Sequence, residues 1–377
     1  MDADFLIVGG GVAGLSAAAR LAAHGRVAVL EGEEALGRHS SGRSVSLSHY
    51  GIGDAVVRGL TAASRPFFEA PPPAFSEAPL ARNFPTLYFA GAAQLPRLAA
   101  LADAVERFTG RARMLEPSGM LRLCPALRTG GDAAVRGLLD DTSIKLDADA
   151  LLQGLARAVK RTGGALHFGA AVTAIRQAGR GWRVETAAGQ FEAPVLINAA
   201  GAWADRVADL AGVRPLGLSP KRRTVIAIDP PLGQAVARWP FVHSLAADFY
   251  MLPEAGQLLV SPQDEVDDTP CDAQPEPFDI ALAADRLEHY TTLSARRIAH
   301  RWAGLRTFTA DRVPTTGFAA DAPGFFWLAG QGGYGLQTAP AMALAAEALL
   351  TGGAWPQALE RHGVLAHKLS PDRLLAP

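Results

Sequence analysis

Gly9-Gly10-Gly11-Val12-Ala13-Gly14 sets three glycines in the spacing G-x-G-x-x-G, and Glu31 follows 17 residues after the last of them. In such a loop the first glycine, Gly9, makes a tight turn. The second, Gly11, lets backbone approach a pyrophosphate, and the third, Gly14, lets a helix pack close on a strand. The N–H groups that open the helix carry roughly half a positive charge toward the phosphates. A carboxylate at Glu31 can accept both hydroxyls of a ribose. This chemistry needs a strand, a helix and a second strand to position it. Residues 4–9 are a continuous apolar run ending in glycine, 12–24 are alanine-rich, and 26–31 are apolar and end in an acid. They predict a buried strand, a helix with small residues toward the sheet, and a second buried strand, joined in a right-handed βαβ unit. A glycine turn alone is a common surface feature; the full unit makes a dinucleotide site.

The loop by itself serves FAD and NAD equally. Three further segments favour FAD: Gly37-Arg38-His39-Ser40-Ser41-Gly42-Arg43-Ser44; Ile197-Asn198-Ala199-Ala200-Gly201-Ala202-Trp203; and Ala303-Gly304-Leu305-Arg306 paired with Gly330-Gln331-Gly332-Gly333-Tyr334-Gly335-Leu336-Gln337. The last glycine turn precedes an alanine-rich helix at 338–350, whose N-terminus could stabilise negative charge on a reduced flavin.

The chain has 377 residues, 49% hydrophobic and 19% charged, with a formal net charge of -1. It is long enough for two well-filled cores, and its charge balance gives no reason to expect nucleic acid as a partner. Cys124 and Cys271 stand far apart, so neither a disulfide framework nor a metal site is expected, and a reducing cytoplasm fits. Met1-Asp2-Ala3-Asp4 has no basic start, and glycines and charges break the apolar stretch behind it; no signal peptide or membrane span is expected. Peripheral contact with the inner face of a membrane stays open. Along the middle, a helix is expected at 147–161, strands near 165–175, 181–186 and from Gln190–Phe191, a buried strand at 194–201, an acidic loop at 264–268 and an apolar strand at 325–330. The prolines at 71–73 and the loop around Pro79 suggest a boundary.

At these segments the chain resembles the D-amino acid oxidase family of FAD enzymes, and within it the bacterial FAD-dependent D-arginine dehydrogenases. The residues that carry this are His39-Ser40-Ser41-Gly42-Arg43-Ser44, Leu60-Thr61-Ala62-Ala63-Ser64-Arg65, Pro215-Leu216-Gly217-Leu218-Ser219-Pro220-Lys221-Arg222-Arg223 and Gln331-Gly332-Gly333-Tyr334-Gly335. The resemblance implies an α/β fold: a Rossmann-like FAD-binding domain (1–80, 143–215 and 300–377) with an inserted α+β substrate-binding domain (81–142 and 216–299) on a mixed antiparallel sheet. It implies noncovalent FAD, although His39 leaves a covalent link conceivable. Beside Gly9, Gly11, Ala13, Gly14 and Glu31, the expected cofactor residues are Gly32, Ser40, Ser41, Gly42, Arg43, Ser44, Val45, Ser46, Leu47, Val172, Ala200, Gly201, Trp203, Gly304, Gly330, Gly332, Gly333, Tyr334, Gly335, Leu336 and Gln337.

The implied activity is oxidative deamination of a D-amino acid by hydride transfer from Cα to flavin N5. The electrons would pass to a quinone or an electron-transfer protein, and the enzyme would be a monomer or dimer. Such a reaction mainly needs a cationic fork for the substrate carboxylate, which arginine suits. The resemblance assigns that fork to Arg223 and Arg306, with the Tyr250 hydroxyl as a further donor and Gly333 and Gln337 bordering the substrate. Read by itself, Arg223 behind Lys221 and Arg222 would be part of a solvated basic run. Arg306, in an apolar stretch, needs an acidic partner, either a substrate carboxylate or Asp311.

The pattern departs from D-arginine dehydrogenases. The position of their guanidinium-binding glutamate is Thr86 here, and threonine cannot neutralise a buried cation. Their lid histidine and tyrosine are Leu47 and Ile52 here, with His49 and Tyr50 between. Phe241 and His243 stand in the side-chain pocket. These differences point to neutral D-amino acids, bulky or polar ones included, with an acidic side chain on His243 as a variant. Two alternatives within reach of the same fold are a glycine- or sarcosine-type oxidase and a 2-hydroxyacid dehydrogenase, which would need His49 or His243 as its base. A third, the flavin domain of a tRNA-modifying enzyme, conflicts with the net charge.

Overall fold

The computed structural model describes residues 3–131, 133–230 and 235–375; Met1 and Asp2, from which part of the N-terminal reading was made, lie outside them. The four inner strands of the first sheet are largely apolar on both faces because both are covered. The order is Thr315–Phe318, Phe325–Ala329, Val195–Asn198, Phe5–Val8, Val27–Leu30, Ala165–His167, parallel but for the first pair. Leu6, Val8, Leu196, Phe325 and Trp327 point to a core shared with Ile175, Trp182, Val184 and Phe191, which belong to a three-stranded antiparallel sheet. Ile7, Val29, Ile197, Phe326 and Leu328 point the other way, onto the helices Val12–Leu21 and Gly335–Thr351. Phe5–Val8 lies between the strand that follows it and one nearly 190 residues later. The chain therefore switches direction at its C-terminal end, which is where open parallel sheets leave a crevice.

The second large sheet runs Val266–Asp267, Ser219–Ile228, Gln257–Ser261, Tyr250–Glu254, Phe241–Ser244, Thr86–Ala90, Arg136–Asp140, Arg113–Leu115, with Ile298–Phe308 also on Ser219–Ile228. Phe241–Ser244 runs parallel to Thr86–Ala90 and the other pairs are antiparallel. The sheet is mixed, as expected. A small sheet of Leu47–Ser48, Ile144–Leu146 and Ala81–Asn83 stands beside the two.

Three details differ from the sequence reading. The run expected as strand over 165–175 breaks at Gly169, whose φ of 60° turns the chain, so that its halves enter different sheets. The expected division at 299/300 falls inside the continuous strand Ile298–Phe308. The last helix begins at Gly335 rather than 338, which brings Leu336 and Gln337 into its first turn and its free N–H groups up to the crevice.

Candidate active site

The loop from Gly9 to Gly14 leaves the central strand through a backbone bond from the Gly9 N–H to Leu30 O (2.8 Å). Gly11 is the N-cap of the first helix, with neither a side-chain cap nor an acid in the first turn. Its positive end is therefore open to an anion, with Ser41 Oγ accepting the Val12 N–H at 3.0 Å. Glu31 Oε2 accepts from Gly10 N (2.7 Å) and Oε1 from Glu33 N (2.9 Å), which fixes the carboxylate at the end of the second strand. Gly9, Gly11, Glu31, Gly32, Val172, Ala200 and Trp203 line one cavity of about 1240 Å³. Ser40, Ser41 and Gly201 line both this cavity and a second of about 960 Å³, so the two are contiguous.

Ala13, Arg43, Ser44, Val45, Leu47, Gly304, Gly332, Gly333, Tyr334, Gly335, Leu336 and Gln337 line the second cavity. Both helices thus open onto it, and the N-cap Tyr334 of the later one gives no side-chain cap. Arg43 holds the loop to the strand behind it: Nη1 donates to Ala273 O (2.9 Å) and Ala303 O (3.0 Å), and Nη2 pairs with Asp272. Four expected cofactor residues border neither of these cavities. Gly14 and Gly42 are packing glycines, since a Cβ would lie 2.0 Å from Gly9 O and 2.3 Å from Gly37 O respectively. Gly330 has φ 72° with Thr309 Cγ2 where a Cβ would stand, and Ser46 faces a groove on the other side. Sequence reasoning passed over Arg38, Ala170 and Arg206 in the first cavity and Val225, Thr307 and Gln331 in the second. Arg38 was within reach, being inside the quoted glycine loop. His39, its neighbour, lies 4.7 Å from the Trp203 ring and 2.8 Å from Glu33 Oε1.

On the substrate side the register of two strands does the positioning. Arg223 pairs with Gly304, and Lys221 with Arg306, so Arg223 and Arg306 stand diagonally on one face with no side chain opposite Arg223. Both border the second cavity, as does Tyr250. The basic run is not solvated. Lys221 pairs with Asp267 (2.6 Å) and Arg222 with Asp268 and Asp279 (3.1 Å each), so the acidic loop neutralises it across the sheet. Arg223 donates from Nε to Asp264 O (2.6 Å) and from Nη2 to Glu265 (3.1 Å). Burial first, then the charge of Arg306, pushes its pKa down to about 9. The Arg306 guanidinium has no hydrogen bond or ion pair among the described residues. Asp311, offered as its partner, is held instead by Arg373 at 2.8 Å. The Tyr250 hydroxyl is buried with no partner.

The other expected residues stand behind this layer. Gln337 borders the cavity but its amide faces His49 and Thr61: Oε1 accepts the His49 N–H (3.2 Å), and Nε2 donates to Thr61 Oγ1 (2.7 Å) and His49 O (3.4 Å). Thr86, His49, Tyr50 and His243 do not border the cavity. Thr86 is fully buried, Tyr50 stacks on Phe108 with ring centres 5.2 Å apart, and His243 stacks behind Tyr250 at 6.4 Å. His49 Nδ1 is 2.8 Å from the Tyr88 hydroxyl. Neither histidine is placed to take a proton from a ligand in the cavity.

Burial, with the charges of Arg306 and Arg58 behind it, pushes the His49 pKa down from 6.5 to about 4. His243 is driven down too, by burial and then by His49. Both are neutral when folded and gain a proton on unfolding. For His49 the stabilisation is whole above pH 6.5 and is lost as pH falls toward 4, about 3 kcal/mol. The melting temperature should fall across that window and fall less in His49→Gln; a midpoint flat with pH would contradict this.

These features fit a dinucleotide whose phosphates sit at the first helix and whose ring system extends toward the second. The family profile described as "DAO: FAD dependent oxidoreductase" matches residues 4–349. The chain belongs to this DAO family. Its cofactor is FAD. Among solved structures the DAO fold is shared with glycine oxidase from Geobacillus kaustophilus (TM-score 0.80, 20% identity, 93% of this chain and 95% of that one). L-proline dehydrogenase from P. horikoshii aligns at TM-score 0.83 and 17% identity over 99% and 98%. L-alpha-glycerophosphate oxidase from Mycoplasma pneumoniae, solved with FAD bound, aligns at TM-score 0.82 and 21% identity over 93% and 94%. Mitochondrial dimethylglycine dehydrogenase of Rattus norvegicus is 28% identical over 151 residues, 40% of this chain but only 17% of that relative's length. Among the described residues of this DAO-family chain no helix is long and apolar enough to cross a membrane, and no group of three or more His, Cys, Asp or Glu could hold a metal.

Proposed function

We propose that the protein oxidises the Cα–N bond of a neutral amino acid, of D configuration, to the imino acid that water then hydrolyses. The observation that carries this is that Arg306, a guanidinium without a partner among the described residues, and the unpartnered Tyr250 hydroxyl border the same cavity. Together they offer a fork and a further donor to a substrate carboxylate. FAD, when bound, supplies the hydride acceptor. The protein's part is to fix the substrate in line and keep water out. Gly333 helps by omission: a Cβ there would lie 3.1 Å from Arg306 Nη1 and push the fork aside. The open ends of the two helices favour negative charge gathering at that end of the cavity.

Preference for a neutral substrate rests on the wall itself. None of the described residues that line the cavity is acidic, so a cationic side chain would lie buried and unpaired. The D configuration rests on the resemblance to D-arginine dehydrogenases. A glycine- or sarcosine-type oxidase is the second reading, favoured by the fold shared with glycine oxidase. A panel of D- and L-amino acids, glycine and sarcosine, with an artificial electron acceptor, is expected to give the highest kcat/KM on a neutral D-amino acid. D-arginine as best substrate would sink the neutral preference, turnover of L-forms alone would sink the configuration, and glycine or sarcosine ahead would select the second reading.

A further inference from the structure

Two guanidinium groups face the substrate side, but one is already engaged. Arg223 is held at Nε by Asp264 O (2.6 Å) and at Nη2 by Glu265 Oε1 (3.1 Å). Glu265 reaches this buried arginine from the surface. Its two carboxylate oxygens lie 2.9 and 3.0 Å from Arg312 Nη2, and Arg312 is itself stacked 3.9 Å over the Phe308 ring. The carboxylate is therefore clamped from outside by a cation on an aromatic face and from inside by the cavity arginine. Asp264 completes the group, its carboxylate accepting the Thr224 N–H at 2.8 and 3.0 Å and standing 3.9 Å from Arg223. The cluster of Arg223, Arg306 and Arg312 with Asp264 and Glu265 thus has three positive charges against two negative, leaving one over. On the cavity side, where Arg223 is buried while Arg312 is half-exposed at the surface, a ligand that cancels the surplus and no more is favoured, because a further charge beside Arg223 would be buried unpaired.

Resting on the amino-acid reading above, we propose that Glu265 is a specificity-determining residue that limits the site to substrates with one carboxylate. It does so by pairing with Arg223 at Nη2 while Asp264 O holds Nε, which leaves Arg306 as the one unpaired guanidinium among the described residues that line the cavity. An amino dicarboxylate brings a second carboxylate that finds Arg223 already paired. With Glu265 made neutral, the cluster has two positive charges over, Arg223 faces the cavity unpaired, and the second carboxylate has a seat.

The test compares wild type, Glu265→Gln, Glu265→Ala and Glu265→Asp as flavin-loaded proteins. Acetate and malonate are titrated separately and their dissociation constants read from the shift in the flavin absorption spectrum; kcat/KM is measured for D-alanine and D-aspartate. Wild type and Glu265→Asp are expected to bind acetate more tightly than malonate. Glu265→Gln and Glu265→Ala should move the acetate-to-malonate ratio, and the alanine-to-aspartate ratio of kcat/KM with it, by about tenfold or more toward the dicarboxylate. A loss of affinity for both ligands with no change in ratio is what a merely structural role gives, and it overturns the proposal. So does a wild type that prefers malonate, a result that stands even if the Gln and Ala variants fail to fold. Turnover of no amino acid by wild type would overturn the amino-acid reading instead, with acetate against malonate still judging Glu265.

Discussion

Arg306→Gln is expected to lower kcat/KM for the best substrate by roughly 10²- to 10⁴-fold, while the purified variant keeps its flavin. A substrate carboxylate drawn into the cavity without its cation is a buried charge left unpaired, a loss of about 3–5 kcal/mol, and each 1.36 kcal/mol is a factor of about ten. The flavin should stay because Arg306 borders the second cavity but not the one lined by Gly9, Glu31 and Gly32. Arg306→Lys restores the charge without the planar fork and should recover part of the loss. Arg223→Gln should behave differently. Its guanidinium already serves the Asp264 carbonyl oxygen and the Glu265 carboxylate, so its removal leaves a buried carbonyl without its donor and loosens Glu265, and should lower the melting temperature as well as the rate. Steady-state kinetics, flavin absorbance and thermal denaturation on the three variants separate these outcomes. An Arg306→Gln enzyme within tenfold of wild type would remove the fork from the reaction.

The different standing of the two arginines was not legible in the sequence, and the reason is physical. Arg223 and Glu265 are 42 positions apart and meet only because Ser219–Ile228 has Val266–Asp267 on one side and Ile298–Phe308 on the other. Partners across a sheet are set by register, which local pattern does not carry. By contrast, the dinucleotide loop could be read directly, since Gly9, Gly11, Gly14 and Glu31 act within one βαβ unit on backbone that each residue shapes for itself. The helix Ala148–Arg161 was legible for the same reason: Asp147 caps it by accepting the Ala150 N–H (2.9 Å) and its apolar positions recur at helical spacing. Side chains chosen for their neighbours were harder. Tyr50 and His49 look like chemistry in isolation, yet one packs on Phe108 and the other on Tyr88, because a polar aromatic fills a core once its one polar atom finds a partner. Gln337 borders the cavity, but its amide serves as a strut between the last helix and His49.

Gly11→Ala and Gly14→Ala, three residues apart, are expected to fail in different ways. An alanine at 14 would put its Cβ 2.0 Å from Gly9 O and 3.2 Å from Ile7 Cγ2, and both neighbours belong to the loop and strand on which the sheet is built. Helix and strand must then separate, an overpacking cost of about 3 kcal/mol or more. The variant should be unstable as apoprotein and bind no flavin. At position 11 the nearest atom to a new Cβ is Ser41 Oγ at 3.4 Å, an ordinary contact, and the backbone there (φ −76°, ψ 179°) suits any residue. That methyl group would project into space shared by both cavities. Gly11→Ala should therefore fold with a melting temperature close to that of wild-type apoprotein, yet bind FAD about 10- to 100-fold more weakly, since the methyl holds the pyrophosphate off the N–H groups at the helix start. Flavin titration and thermal denaturation of both apoproteins test the pair. Should Gly11→Ala bind FAD as tightly as wild type, the phosphates do not approach the backbone at Gly11; should it unfold as readily as Gly14→Ala, the division between a packing glycine and an approach glycine fails.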